Sequence, residues 1–170
     1  DMASEKSPVQ AYQTKEGAFS AFVASISMGG CPMIYSSQEI AYDKALSFFG
    51  HQPMDWNANA DYQANYVKLM QLYRNSPALQ QGEVKLYQTG KAVCSYRTSA
   101  SEKILVLINT SGSQERMNLP MERVGDSVKN LWTGENTVLP RTFTLEPYQY
   151  YIWKIEGSVS YTHLTLPTTE

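Results

Sequence analysis

Histidine and cysteine are scarce in this sequence, which contains two of each in 170 residues. Cys31 and Cys94 lie far apart and have neither the spacing of a metal site nor the number needed for a disulfide framework. We expect both thiols to be buried or half-buried. His51 lies in a polar loop with no serine or cysteine partner nearby, so we expect it to be solvated. No metal site is predicted from these residue types.

A strong charge of either sign and a long apolar run are also missing. The net charge of −2 and the pI near 5.7 give no electrostatic footprint for DNA or RNA. No apolar run approaches the roughly 20 residues that a membrane-spanning helix needs. With 42% hydrophobic and 18% charged residues, the composition is typical of a globular protein. No secretory signal is visible at the first residues, and the compartment is left open.

The first half of the chain follows a helical pattern interrupted by one apolar run. Thr14 is a candidate N-cap for a first helix, which Gly29-Gly30 would end, and a second helix opens near Asp61 and ends before Pro77. Between them, Cys31–Tyr35 is a short apolar run, which predicts a strand buried on both faces. The helical stripes are Ala18, Phe19, Phe22, Val23 and Ile26, then Tyr62, Tyr66, Leu69, Met70 and Tyr73. This order predicts a parallel sheet with helical crossovers.

After Gly82 the pattern changes to short strands separated by turn residues. Ile104, Val106 and Ile108 alternate with Leu105 and Leu107, which predicts a central strand that is apolar on both faces. Phe143–Leu145 lies across Pro147 from Tyr151–Ile155, and we expect these two segments to pair. The predicted strands are Val84–Tyr87, Ala92–Tyr96, Lys103–Asn109, Glu115–Leu119, Val128–Leu131, Thr142–Leu145 and Tyr150–Ile155. Short strands at this spacing indicate an antiparallel sandwich.

Two features concern the extent of the chain. One or two parallel strands with two helices cannot bury their own apolar faces, so we expect the first 80 residues to be the end of a larger unit. Residues 157–170 are Thr-rich and unlike the rest, and 159–169 resemble translated read-through of a sequencing adapter. A natural disordered tail is the alternative. We exclude this segment from the fold prediction.

Several motifs together carry a family resemblance. Residues 30–39, GCPMIYSSQE, resemble the G-x-P-x-I-Y-x-G-Q-E signature on the last barrel strand of the α-amylase family of glycoside hydrolases. Residues 53–56, PMDW, resemble the P-[MI]-x-W motif that follows it. The second helix and the NSPAL that follows it are similar to the last barrel helix and its exit. The small C-terminal β-domain of the family is similar to three later motifs, LVLINTSG, LWTGEN and LEPYQYYIWKI. The sequence departs at Ser37, where the family usually has glycine, and this could alter the turn's backbone.

The resemblance covers residues 1 to about 156 and implies an α/β part followed by an all-β part. Residues 1–80 would be the last strand and helices of a (β/α)8 TIM barrel, and residues 81–156 an antiparallel β-sandwich. In the family, an Asn-His-Asp triplet closes the strand before the first helix, and Asp1 is suitably placed to be its last residue. That aspartate hydrogen-bonds sugar hydroxyls and helps stabilise an oxocarbenium-like transition state. The alternative is that Asp1 is only a loop carboxylate.

Other candidate site residues lie at the end of the predicted barrel strand. Gln38 could line a sugar cleft through its amide, or could serve only the loop. Glu39 is a candidate acid, although a carboxylate at a strand end is more often a structural hydrogen-bonding group. Tyr35 and Trp56 could stack on sugar rings, although large aromatic side chains at a barrel rim are more often packing residues. We therefore predict structural rim roles for Glu39, Tyr35 and Trp56.

The function implied by the resemblance is that of a retaining glycoside hydrolase or transglycosylase. Its substrates would be α-glucans such as starch, glycogen and maltooligosaccharides. The reaction needs two flanking carboxyl groups, and the family draws both from earlier strands that this sequence does not contain. We therefore expect the chain alone to hydrolyse nothing. No cofactor is implied within it, and calcium is a candidate ligand only of the complete enzyme.

Two other classes of function compete with this interpretation. One is a non-catalytic carbohydrate-binding or barrel-stabilising protein that kept the fold and lost the carboxylates. The other is a free-standing β-sandwich interaction module preceded by two helices. The signature at residues 30–39 argues against the module, which would have no use for a barrel strand.

Overall fold

Helices occupy the first part of the chain and strands the second in the computed structural model, which describes residues 5–158. The helices are α1 (Pro8–Ala11), α2 (Lys15–Ser27), α3 (Ala60–Asn75) and α4 (Pro77–Gln81), with 3₁₀ turns at Gln38–Ile40 and Met121–Arg123. The strands are β1 (Glu83–Tyr87), β2 (Val93–Thr98), β3 (Lys103–Ile108), β4 (Glu115–Asn118), β5 (Asp126–Asn130), β6 (Asn136–Val138), β7 (Thr142–Leu145) and β8 (Tyr150–Ser158). No helix within residues 5–158 is long and apolar enough to cross a membrane.

Both predicted helices are confirmed, together with the signals that begin and end them. The hydroxyl of Thr14 accepts a hydrogen bond from the Gly17 backbone N–H at 2.9 Å, which caps α2. Gly29 has φ of +94°, a conformation that favours glycine and ends a helix. Helix α3 ends at Asn75, two residues before Pro77, which begins α4.

The predicted strand over Cys31–Tyr35 is wrong, because this segment is irregular. Met33 is 72% exposed and Tyr35 is 43% exposed, whereas the prediction buried both faces. A parallel strand needs a neighbour to complete its hydrogen-bond ladder and helices to cover it. Within the described residues no strand lies beside this segment. The expectation of a buried thiol is likewise wrong for Cys31, which is exposed, and right for Cys94, where burial raises the pKa to about 12.

The strands form one large and one small antiparallel sheet. The large sheet has the order β1-β2-β3-β8-β5-β6, and the small one pairs β4 with β7. Strand β3 lies inside the large sheet between β2 and β8, and residues 104–108 are at most 1% exposed. The prediction of a central strand that is apolar on both faces is therefore confirmed. Strand β6 was missed by the sequence pattern, since its three residues are all exposed.

The predicted pairing of the two segments around Pro147 is wrong. Strand β7 pairs with β4, with Phe143 opposite Met117, whereas β8 pairs with β3 and β5. The turn between β7 and β8 includes Tyr148 at φ +59° and carries the chain from one sheet to the other. The Phe143 ring still packs on Tyr151 and Trp153, at centroid distances of 5.8 and 5.2 Å. The contact is between two facing sheets rather than between paired strands.

The large sheet buries both faces of its central strand β3. Ile104, Val106 and Ile108 pack with residues of α2, α3 and α4 on one side. Leu105 and Leu107 pack on the other side with residues of the small sheet and with Trp153. Since successive side chains of a strand point to opposite faces, β3 takes part in both clusters. The helices therefore complete the core of the sheet and are held in place by it.

Candidate functional site

The segment predicted to end the barrel strand forms a tight turn. Ser37 at φ +68° and Ala41 at φ +54° flank the 3₁₀ turn that contains Gln38. The Gln38 backbone N–H donates to the Tyr35 carbonyl at 3.0 Å, and the Tyr42 N–H donates to the Ser37 carbonyl at 3.2 Å. These bonds fix the backbone from which the Gln38 side chain projects.

Ser37 occupies the position where the resembled signature has glycine. Its φ of +68° lies in the left-handed region that glycine adopts freely and serine adopts at a cost. The turn therefore retains a glycine-type conformation although a serine stands there. The side chain is 3% exposed, so the residue is also enclosed by its surroundings.

Replacing Ser37 by glycine is expected to raise the free energy of unfolding by about 0.5–1 kcal/mol, because relief of the left-handed strain exceeds the added chain entropy. Urea unfolding followed by circular dichroism measures the change. Ser36→Gly is the matched control and is expected to have the opposite sign, because Ser36 does not have positive φ. A Ser37→Gly chain no more stable than the Ser36→Gly chain would contradict the strain argument.

A cavity of about 450 Å³ lies beside this turn. Tyr35 and Gln38 both line it, so the structure brings together two of the residues predicted from sequence. Tyr12, Lys6 and Lys44 also line it. Sequence reasoning missed these three because they lie in polar segments without helical or strand periodicity.

The lining suits binding rather than acid–base chemistry. Tyr12 and Tyr35 are 47% and 43% exposed and offer aromatic faces. Gln38 supplies an amide, and Lys6 and Lys44 supply ammonium groups. Pockets of this kind bind ligands through apolar faces and a few polar groups that fix orientation. None of the described residues that line the cavity is Asp, Glu, His or Cys, so no pair of carboxyl groups for hydrolysis is present in it.

The Gln38 amide is held at both ends. Its nitrogen donates to the Tyr66 hydroxyl at 3.2 Å, and its oxygen accepts from the Tyr35 backbone N–H at 3.4 Å. Tyr66 is 1% exposed, and burial raises the pKa of its hydroxyl. The partner of Gln38 is therefore a neutral phenol inside the protein.

Glu39 and Trp56 lie outside this cavity. Glu39 lines a separate hollow of about 430 Å³, together with Tyr66 and Arg74. Its Oε2 atom is buried without a hydrogen-bond partner among the described residues. Trp56 is 50% exposed and lines neither hollow. The three predicted rim residues therefore do not share one site: Tyr35 lines the cavity beside Gln38, Glu39 lines the second hollow, and Trp56 lines neither.

Two further predictions concern Asp1 and metal ions. Asp1 lies outside the described residues 5–158, so its predicted catalytic role stays a prediction. Within those residues, no group of three or more His, Cys, Asp or Glu side chains is placed to hold a metal ion. His51 is exposed, as expected for a solvated side chain.

Known proteins resemble this chain over most of its length. No protein-family model matches it. It is 30% identical over 133 residues to the maltogenic α-amylase of Bacillus acidopullulyticus, a match that covers 74% of this chain and 23% of that protein. The α-amylase of Geobacillus thermoleovorans complexed with acarbose has a TM-score of 0.72 at 15% identity, covering 86% of this chain and 34% of that one. AmyP in complex with maltose has a TM-score of 0.67 at 15% identity, covering 89% and 36%.

The mostly antiparallel sheet with its few helices matches the C-terminal region of α-amylases. The chain belongs to the α-amylase family of glycoside hydrolases, which confirms the resemblance seen in its motifs. It spans less than a quarter of the length of the curated relative that it matches. The sequence and the fold therefore correspond to one part of an amylase.

Proposed function

We propose that this chain is the C-terminal part of an α-amylase-type retaining glycoside hydrolase that acts on α-glucans. In this proposal, residues up to about 80 complete a (β/α)8 barrel and residues 81–156 form a β-sandwich beside it. The observation that carries the proposal is the cavity shared by Tyr35 and Gln38 in the segment that resembles the last barrel strand.

The chemistry of that cavity favours a sugar. The C–H faces of a pyranose ring pack on aromatic rings such as Tyr12 and Tyr35, and sugar hydroxyls exchange hydrogen bonds with an amide such as Gln38. Two of the structurally similar amylases are described in complex with acarbose and with maltose. A maltooligosaccharide is therefore the ligand class that we propose.

The catalytic carboxyl groups would come from outside this chain. Hydrolysis with retention needs a nucleophile and a proton donor about 5 Å apart, and the cavity lining contains neither. Asp1 would assist as a transition-state stabiliser once the barrel is complete. If the complete enzyme binds calcium, its ligands would likewise come from other residues.

Exposed apolar side chains support the proposal that the first part of the chain packs against other elements of a barrel. Met33, Phe48 and Phe49 are 72%, 61% and 101% exposed, and Trp56 is half exposed. Soluble proteins rarely leave so many large apolar side chains uncovered in one segment. In the complete barrel, neighbouring strands and helices would cover them, and residues 31–35 would gain the strand partners that they lack.

The test uses the 170-residue chain with maltotriose and with starch. We expect calorimetry to show maltotriose binding, which Gln38→Ala weakens roughly tenfold because one buried-site hydrogen bond is lost. Gln88→Ala removes an exposed amide between β1 and β2 and is expected to leave binding unchanged. A reducing-sugar assay is expected to detect no hydrolysis of starch.

Each result has a clear meaning. Release of reducing sugar by the chain alone would show that it carries its own catalytic pair. Absence of maltotriose binding, or equal weakening by both substitutions, would contradict the cavity as the sugar site. If rejoining the chain to its upstream coding sequence gives binding without hydrolysis, the parent is a non-catalytic carbohydrate-binding protein.

A further inference from the structure

A chain of hydrogen bonds runs from the backbone of α2 to Gln38, and its direction is set at one end. The Tyr62 hydroxyl donates to the Lys15 backbone carbonyl at 2.9 Å. A carbonyl oxygen can only accept, and a phenol has a single hydrogen to donate. The hydrogen of Tyr62 is therefore committed to Lys15.

That commitment determines the next bond. The hydroxyl oxygens of Tyr62 and Tyr66 are 3.4 Å apart, and geometry alone permits either one to be the donor. Since the Tyr62 hydrogen is already used, Tyr66 must donate and Tyr62 must accept. The Tyr66 oxygen can then only accept from Gln38, which matches the 3.2 Å contact from the Gln38 amide nitrogen.

The opposite orientation of the amide would fail at both ends. With the Gln38 oxygen towards Tyr66, the single Tyr66 hydrogen could serve Gln38 or Tyr62 but not both. The amide nitrogen would then face the Tyr35 backbone N–H, placing two donors against each other. Only the orientation with nitrogen at Tyr66 and oxygen at Tyr35 satisfies every group.

The two tyrosines are well placed to hold this orientation. Tyr62 and Tyr66 are 6% and 1% exposed, and burial raises the pKa of both, so that neither ionises near neutral pH. Their rings lie 5.3 Å apart at 66°, and Phe19 packs edge-on against both at 5.9 and 5.0 Å. Rotation of either hydroxyl-bearing ring would disturb this aromatic cluster.

We propose that Tyr62 and Tyr66 are positioning residues that fix which end of the Gln38 amide meets the ligand. Tyr35 and Gln38 line the cavity and Tyr66 does not, so in this proposal the amide oxygen, which is bonded to Tyr35, lies on the cavity side. Gln38 would therefore accept a hydrogen bond from a sugar hydroxyl. This inference rests on the proposed sugar-binding function, but the orientation of the amide can be measured without any sugar.

The experiment compares four versions of the full 170-residue chain: the native one, Tyr66→Phe, Tyr62→Phe and Tyr73→Phe. Tyr73 is the matched control, because it lies on the same helix and takes no part in the hydrogen bonds of Tyr62, Tyr66 and Gln38. Nuclear magnetic resonance observes the Gln38 side-chain amide, identified by its loss in Gln38→Glu. The native chain is expected to show cross-relaxation between this amide and the Tyr66 ring.

Tyr66→Phe keeps the ring but removes its hydroxyl, so it is expected to shift the Gln38 amide resonance, to weaken the cross-relaxation with that ring, and to weaken maltotriose binding roughly tenfold. Tyr62→Phe leaves Tyr66 in place but frees its hydrogen to reach Gln38, which removes one of the two penalties on the flipped amide. The flipped orientation should therefore appear as a minor population, held down by the Tyr35 backbone N–H, with a smaller loss of affinity. Tyr73→Phe should change neither readout. If Tyr66→Phe does not fold, Tyr62→Phe provides the same test.

Two outcomes would overturn the inference. The first is an unchanged Gln38 resonance in both the Tyr66→Phe and Tyr62→Phe chains. The second is an amide signal altered to the same degree in the Tyr73→Phe control. If the native chain binds no maltotriose while the amide resonance responds as expected, the positioning role of Tyr62 and Tyr66 stands and the proposed sugar-binding function fails.

Discussion

Arg97→Ala is expected to lower the free energy of unfolding by about 3 kcal/mol or more. Arg97 lies on β2 and is 1% exposed. Its Nη1 atom donates to the carbonyls of Ile26 and Ser27 at 3.4 Å each, and its Nη2 atom donates to the Gly82 carbonyl at 3.1 Å. Removal leaves three backbone acceptors without these donors and opens a cavity where the helices meet the sheet.

The location of Arg97 explains why the effect should be large. The last carbonyls of a helix have no partner within the helix, and a cation is favourable there because of the helix dipole. Arg97 supplies both a charge and donors to the end of α2 and, at the same time, to the junction between α4 and β1. One side chain from the sheet therefore forms hydrogen bonds at two places in the helical part.

Arg97→Lys and Arg97→Met separate charge, shape and hydrogen bonding. Lysine keeps the charge but lacks the planar fork that reaches several carbonyls at once, so we expect an intermediate loss of about 1–3 kcal/mol. Methionine fills much of the space but has no hydrogen-bond donors. The loss of unfolding free energy for Arg97→Met should therefore lie between the losses for Arg97→Lys and Arg97→Ala. Urea unfolding provides the measurement. A loss below about 1 kcal/mol for Arg97→Ala would show that these hydrogen bonds contribute little to holding the helices against the sheet.

Trp153→Ala is expected to lower the free energy of unfolding by about 3–5 kcal/mol, the range seen when a large buried aromatic side chain is removed. Trp153 lies on β8 and is 1% exposed. Its ring stacks on Tyr151 at 4.6 Å and packs on Phe143 of the facing sheet at 5.2 Å. The truncation opens a cavity between the two sheets that the surrounding strands can fill only in part.

Trp56→Ala provides the matched control for this prediction. It removes the same side chain from a half-exposed position, where surface substitutions usually change stability by no more than about 0.5 kcal/mol. Thermal unfolding and the near-ultraviolet circular dichroism of the aromatic residues report on both variants. Equal losses for the two variants would mean that the contact between the sheets contributes little to the stability of the chain.

Local signals in the sequence predicted local structure well. The cap at Thr14, the stop at Gly29 and the proline at 77 act within one or two turns of their own helices, so they can be recognised without knowing the rest of the fold. The alternation along residues 104–108 likewise predicted a strand covered on both faces. The sequence motifs also indicated the α-amylase family.

Features that depend on distant neighbours were predicted less well. Residues 31–35 have the composition of a buried strand, but burial requires partners that are not among the described residues. Phe143 was expected to pair with β8 because both segments flank one turn. The tertiary structure instead places it on the facing sheet, where its ring still reaches the same aromatic residues.

The sequence by itself determined the helix boundaries, the central strand and the family, because short-range patterns encode them. Only the tertiary structure decided that Tyr35 and Gln38 share a cavity while Glu39 faces another. It also decided the orientation of the Gln38 amide, because that orientation depends on Tyr66, 28 residues further along the chain. Hydrogen-bond direction is a property of groups brought together by folding, and no spacing in the sequence records it.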